Sequence, residues 1–157
     1  MAISGTYDPA DGAAVNLAEV GVDIAASGTF VAIESWATTA TITGGDVPSN
    51  TYYTLDGTAT TITGNQNPFV FTVSGVFTQG TTDPFKNLVD LHVSPTANKA
   101  VEVEISEDGS TTGSLVFTSS GGKITSMTFP EYDSNTTGLK MFSFVVTAPT
   151  LTVTVAS

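Results

Sequence analysis

The chain has no cysteine and no arginine, one histidine and only four lysines. Without cysteine there are no thiol nucleophiles, disulfide staples or Cys-based zinc sites. The single histidine, His92, leaves one possible base for a Ser-His-Asp arrangement and excludes any multi-His metal site. Proteins that grip nucleic acid neutralise phosphates with clusters of Lys and Arg. Four lysines against fifteen Asp and Glu, a formal net charge of -11, cannot supply such a cluster. The same shortage argues against attachment to an anionic membrane surface. No run approaches the ~20 apolar residues of a membrane-spanning helix. The start, Met1-Ala2-Ile3-Ser4-Gly5, lacks the basic residues and apolar run of a signal peptide. We therefore expect a protein made in a cytoplasm and kept there or assembled into something larger, with no membrane anchor, cofactor or metal.

Charge is also scarce overall. Asp, Glu and Lys make up 12% of the residues, roughly half the usual share, and 28 Thr with 15 Ser stand in their place. At 157 residues and 40% hydrophobic, with nine Phe, the chain suits one domain over 1–157 with a full core, so low charge does not mean disorder. Threonine is β-branched and suits a pleated, half-buried surface. Strands dressed in Thr instead of Lys and Glu leave flat, uncharged edges, which recruit partners. Composition alone thus makes self-assembly an expectation.

Residues 1–28 read as a lead-in with turn signals at Asp8-Pro9 and Asp11-Gly12, ending in a short strand where Val20, Val22 and Ile24 alternate with Gly21 and Asp23. Phe30 to Thr43 reads as one or two strands. Residues 44–67 form a long excursion marked by Gly, Asn and Pro. Inside it Asp56-Gly57 lies between two runs of β-formers, a hairpin signal in which both central positions are expected at positive φ. Phe69, Phe71, Val73 and Phe77 mark a core strand. The period then changes: Pro84 at a first helical turn and Phe85, Leu88, Val89 and His92 at i, i+3, i+4 and i+7 predict a single short helix over 83–92, capped by Thr82-Asp83. The remainder alternates as strands around Val101–Ile105, Leu115–Phe117, Ile124–Phe129, Phe142–Val146 and Leu151–Val155, with turns at Glu107-Asp108-Gly109-Ser110 and Gly121-Gly122. The fold class is mainly β: an antiparallel sandwich or barrel of about eight strands, one short helix and a long projecting loop or hairpin.

Candidate chemistry is thin. His92 on the apolar stripe of a helix end reads as packing or a dipole contact. Glu102 and Glu104 lie two apart on one strand face, about 6.5–7 Å, which paired glycosidase carboxylates can match; alternation with Val is equally the pattern of a half-buried strand. Asp133 to Gly138 begins like a calcium loop, but Phe144 occupies the position of the bidentate Glu. Trp36, Tyr52, Tyr53 and Tyr132 fit sugar stacking, a core or an interface. We expect no enzyme.

The order of segments carries the most information. A strand pair and a long loop with a hairpin precede Phe69-Val70-Phe71-Thr72-Val73-Ser74-Gly75-Val76-Phe77. The helix at Thr82-Asp83-Pro84-Phe85-Lys86-Asn87-Leu88-Val89-Asp90 follows, then Val101–Ile105, Gly113-Ser114-Leu115-Val116-Phe117, Gly122-Lys123-Ile124-Thr125-Ser126-Met127-Thr128-Phe129-Pro130 and Phe142-Ser143-Phe144-Val145-Val146-Thr147. Over residues 20–155 this layout resembles the major tail tube proteins of tailed bacteriophages. Some of these carry a further immunoglobulin-like domain, for which this chain is too short. The resemblance implies a structural virion protein: hexameric rings whose inner strands join into one barrel, stacked into a tail tube with other tail proteins, through which DNA passes without specific binding. Location in the virion tail and assembly in the host cytoplasm are implied too. By the same resemblance, the excursion 44–67 makes the contact between rings, with Tyr52, Tyr53, Leu55, Asp56 and Gly57 as its centre, and the N-terminal arm 1–19 makes a second. An acidic lumen would repel phosphate; Glu102 and Glu104 are candidates for it, and the outer surface is the other place for them. A capsid decoration or head–tail joining protein, or a β-sandwich carbohydrate-binding or adhesin module, are the alternative readings.

Overall fold

The computed structural model describes residues 19–77, 84–94, 98–110, 113–131, 138 and 140–157, with backbone alone for 108–110. The predicted N-terminal arm up to residue 18, the capping pair Thr82-Asp83, the 133–137 loop and Tyr132 lie outside these residues. Eleven strands and one helix are described: β1 (Glu19–Ile24), β2 (Val31–Ala32), β3 (Ala37–Gly44), β4 (Ser49–Tyr53), β5 (Ala59–Thr63), β6 (Phe69–Val76), α1 (Pro84–Val93), β7 (Val101–Ser110), β8 (Leu115–Ser120), β9 (Lys123–Thr128), β10 (Met141–Ala148) and β11 (Thr150–Val155).

Three antiparallel sheets result. Sheet A has the order β11-β8-β7-β1-β2, sheet B has β3-β6-β10-β9, and β4 pairs only with β5. Sheets A and B face each other as a sandwich and do not close into a barrel. Alternation decides which side of each strand is buried. In β6 it turns Phe71 and Val73 inward, and in β10 it turns Phe142, Phe144, Val146 and Ala148 inward, against Val20, Val22, Val101 and Val103 of sheet A. At one corner the sheets are stitched together: Ala100 bridges Lys123, the Ile124 amide donates to the Lys99 carbonyl at 3.0 Å, and the Val101 amide donates to Gly122 at 3.1 Å.

Helix α1 starts at Pro84, whose missing N–H costs nothing in a first turn, and buries Phe85 and Leu88 at i and i+3. The Phe85 ring lies 4.7 Å from Phe142 and 5.2 Å from Phe77, the latter edge-on, closing the end of the sandwich where β6 and β10 meet the helix. His92 sits in the last turn, as its spacing predicts.

The structure departs from the sequence reading at two turns. Asp108-Gly109 does not turn the chain: β7 runs on to Ser110, and the reversal comes later, with Gly113 at φ +98°. At the hairpin tip, Gly57 has φ +85° but Asp56 is not among the residues at positive φ. The Gly57 amide donates to Thr54 O at 2.9 Å and the Thr54 amide to Thr58 O at 3.0 Å. This is a three-residue loop built on a type I turn, which needs one left-handed residue and not two.

Candidate functional site

Three surfaces stand uncovered among the described residues. The first is the hairpin. Segments 44–48 and 64–68 form a neck joined by backbone bonds from Gly45 to Pro68 (3.4 Å), Gly64 to Pro48 (2.7 Å) and Asn67 to Asp46 (2.8 Å). Pro48 and Pro68 lack the N–H that would continue the β3–β6 ladder, so the hairpin leaves sheet B as a separate ribbon. Every residue of β4 is exposed. Tyr53 is 74% exposed, Leu55 at the tip is 111% exposed and Ile62 is 59% exposed. Tyr52 stands across from Thr60, and the Thr51 and Thr61 hydroxyls share a hydrogen bond of 2.8 Å. Isolated two-stranded hairpins are marginal in water, and this ribbon carries apolar side chains while contributing none to the core.

The tip itself is well ordered chemically. The Thr54 hydroxyl and, at 2.9 Å, the Thr58 amide both donate to Asp56 Oδ1. These donors, the Thr54 hydroxyl foremost, hold the Asp56 carboxyl down at about 2. The tip therefore presents a fixed negative charge beside Leu55 at any physiological pH.

The second surface is the pair of open edges of sheet B. Among the described residues, strand β3 pairs with β6 alone, and the outer side of β9 is bonded at Lys123 and Ile124 but open from Thr125 to Thr128. Each edge strand has a register shift, and at each a threonine hydroxyl donates to a neighbouring carbonyl: Thr38 to Ser74 O at 3.2 Å, Thr125 to Val145 O at 3.3 Å. Nothing in the alternation pattern signals these two bulges. Neither edge carries a carboxylate.

The third is an apolar overhang on sheet A. Leu115 and Phe117 pair with Val155 and Val153 on one face of β8 and β11, and Val153 and Val155 are more than half-exposed or close to it, at 50% and 60%. The alternation of β11 reads equally as a core strand, so sequence reasoning missed this patch.

Glu102 and Glu104 point away from the core on sheet A. Glu102 Oε1 accepts from the Gly121 amide and Glu104 Oε2 from the Thr118 hydroxyl, both at 3.2 Å. Across the ladder, Glu102 faces Asp23 and Glu104 faces Gly21. They are thus far from the hairpin tip in sequence and belong to a different sheet from the open edges. No cluster that could hold a metal ion occurs among the described residues. Among the described residues, His92 Nδ1 is buried with no hydrogen-bond partner.

Asp23 is the buried carboxylate that the sequence did not flag; it is 1% exposed. Ser27 Oγ donates to its Oδ1 at 2.7 Å and the Gly28 amide to its Oδ2 at 2.5 Å. The signal was there in Asp23 with Ser27-Gly28 four and five residues on, a side-chain-capped turn. The loop needs such a clamp because Ala25 and Ala26 adopt φ of 75° and 50°, a conformation that costs a residue with a Cβ about 1–2 kcal/mol each. Burial pushes the Asp23 carboxyl up, and the Ser27 hydroxyl with the amides of Ser27, Gly28 and Thr29 outweighs it, leaving the group below its ordinary value. A carboxyl lowered in the folded state stabilises the fold above its unfolded pKa, about 4, and loses that contribution as pH falls through the folded value. Asp23→Asn is therefore expected to cost about 1.5–3 kcal/mol at pH 7. In urea unfolding the gap to wild type narrows as pH drops below about 4; an equal gap at pH 7 and pH 3 would refute the charge-based role.

The described residues thus form a β-sandwich with an external apolar hairpin and two open edges that carry no carboxylate. Solved structures share the fold. The chain is similar to a subunit of the anti-feeding prophage tube-terminating cap, with a TM-score of 0.64 and 16% identity over 99% of this chain and 95% of that one. It is similar to a chain of the sheath-tube complex of an extracellular contractile injection system in its extended state (TM-score 0.63, 16% identity, 96% and 99% covered). It is also similar to a chain in the tail of an empty gene transfer agent particle of C6 symmetry (TM-score 0.58, 13% identity, 97% and 100% covered). No family model and no curated protein matches the sequence. At these identities the likeness is one of fold, and at that level the resemblance to tail tube proteins read from segment order is borne out.

Proposed function

We infer that this chain is the polymerising structural subunit of a tail tube, in which six copies close into a ring and rings stack into a hollow tube that DNA traverses. The observation that carries the reading is the strand count of sheet B. Four alternating antiparallel strands end in two open edges that run in opposite directions. Copies related by rotation about a common axis therefore meet β9 to β3 as one more antiparallel pair, and the alternation continues unbroken around the ring. Sheet A has five strands, and its edges β11 and β2 would meet in parallel through a strand of two residues. Sheet B is thus the ring-forming sheet. Its register shifts beside Thr38 and Thr125 add the local twist that a curved wall requires.

Six-fold closure is supported by the C6 symmetry of the gene transfer agent tail. Six copies would bring 24 strands, more than the 16–18 that already leave an open channel in porins. At a strand spacing of about 4.8 Å and a tilt near 40°, such a barrel measures roughly 45–50 Å between opposite backbones. The hairpin bridges rings: the dozen residues from Gly44 to Asp56 reach up to about 40 Å at 3.3 Å each. Under this reading Glu102 and Glu104, on sheet A, face outward, the second of the two places the sequence allowed them. The protein acts without catalysis, and its location is a virion or particle tail.

Purified protein raised to high concentration, or seeded with a tail tip, is expected to show hollow tubes or stacked rings with six-fold end views in negative stain. A chain that stays monomeric under both conditions, or closes only single flat discs on capsids, would overturn the proposal.

A further inference from the structure

The carboxylates of the strands are segregated by sheet. Sheet A carries Glu19, Asp23, Glu102, Glu104, Glu107 and Asp108, whereas β3, β6, β9 and β10 contain no Asp or Glu at all and one lysine. The face of sheet B turned away from the core reads, row by row across β3, β6, β10 and β9, Thr43–Val70–Thr147–Lys123, then Thr41–Thr72–Val145–Ser126, then Thr39–Ser74–Ser143–Thr128. The bulge residue Thr125 joins this face through a 3.0 Å bond between its hydroxyl and that of Thr147. In a chain of net charge -11, this is a carboxylate-free surface of hydroxyls interspersed with Val70, Val145, Val76 and Met141, whose one charge among the described residues is positive.

We propose that this face lines the bore and is the surface past which a nucleic-acid duplex moves, neither repelled by the wall nor held by it. The inference rests on the tube reading and replaces an acidic lumen with a neutral one. Entry of a polyanion into a narrow acidic channel is opposed along its whole length; here the acids lie on the other sheet. Tight binding would need many phosphates neutralised together, and the face has only Lys123. Six copies of Lys123 around a wall of this size stand about 25 Å apart. That exceeds the ~8 Å Debye length at physiological salt, so each acts alone; at 0.01 M salt, with a Debye length of ~30 Å, they merge into a collar.

The absence of native cysteine makes the test clean. Thr72→Cys and Thr147→Cys on this face, and Thr152→Cys on the outward side of sheet A as control, are assembled and treated with biotin-maleimide, then with streptavidin. All three take biotin; streptavidin, too wide for the bore, binds intact tubes only at residue 152 and binds 72 and 147 after dissociation. In parallel, a short fluorescent duplex is co-sedimented with wild-type and Lys123→Ala tubes. Wild type retains roughly tenfold more duplex at 0.01 M salt, and neither retains it at 0.15 M. Streptavidin binding at 72 and 147 on intact tubes, or low-salt retention indifferent to Lys123, overturns the proposal while leaving the tube reading standing. Failure of all variants and wild type to form tubes sinks both.

Discussion

Removal of residues 51–61 is expected to leave a folded protein that no longer polymerises. The fold survives because no side chain of β4, β5 or the tip belongs to the buried core, and because the neck is already closed by the backbone bonds at Gly45, Gly64 and Asn67. Polymerisation fails because the deleted ribbon is what holds Tyr52, Tyr53 and Leu55 in water, each worth about 1.5–3 kcal/mol on full burial. Summed over one copy this matches the scale of a specific interface, and a ring engages its neighbour through every copy at once. A gentler form is Leu55→Asp, which sets a second carboxylate beside Asp56. Circular dichroism should give an unchanged β spectrum for Leu55→Asp and a β spectrum reduced only by the missing ribbon for the deletion, with the thermal transition kept in both and no tubes in negative stain. Tubes of normal length from the deletion variant would remove the hairpin from the contact between rings.

Gly75→Ala is expected to damage the centre of sheet B. A Cβ at Gly75 would stand 2.4 Å from the Trp36 carbonyl oxygen and 3.2 Å from the Ala37 Cα, both backbone atoms of the chain entering β3. Backbone cannot rotate out of the way as a side-chain end can, so β3 must separate from β6 where its register already shifts. Overpacking of this kind costs about 1–3 kcal/mol. The compensating loss of unfolded-state entropy on replacing glycine, about 0.4–1 kcal/mol, is too small to reverse the sign. The effect on assembly should exceed the effect on stability, because in the proposed ring β3 is one of the two joining edges. A urea midpoint equal to wild type would show that β3 yields freely, and normal tubes from a destabilised variant would show that β3 is not a ring edge.

The parts of this molecule legible in the sequence are those governed by local periodicity. Phe71 and Val73, or Phe142 with Phe144 and Val146, fall on one side of a strand whatever their partners. The helix follows from Pro84 and the spacing of Phe85, Leu88 and Val89, and the hairpin from Asp56-Gly57 between two β runs. Pairing is a different matter. Strand β1 lies beside β7, some eighty residues on, and no local feature encodes that choice, because both strands show the same alternation as every other. The turn at 54–58 was placed but its geometry misjudged, since the Thr54 and Thr58 bonds to Asp56 select a longer loop than Asp-Gly alone would. Asp108-Gly109 failed as a turn signal because pairing carried β7 past it. Asp23 looked like an ordinary polar spacer; only the Ala25–Gly28 backbone folding back over it shows why a carboxylate is buried there. The assembly surfaces follow the same division: Tyr53 and Leu55 could be singled out by their place in an excursion, whereas the open edges exist only once strand order is known.

The neck of the hairpin has a mechanical meaning. Between sheet B and the tip, the ribbon is held by three backbone bonds, a side-chain bond from Gln66 to Gly45 O at 2.9 Å and no buried side chain beyond Gly45, and a proline on each strand uncouples it from the ladder below. Such a joint is soft to bending and stiff to stretching. The proposed tube, strung on such joints, would flex at the seams between rings and keep each ring round, so its curvature would be accommodated without narrowing the passage inside.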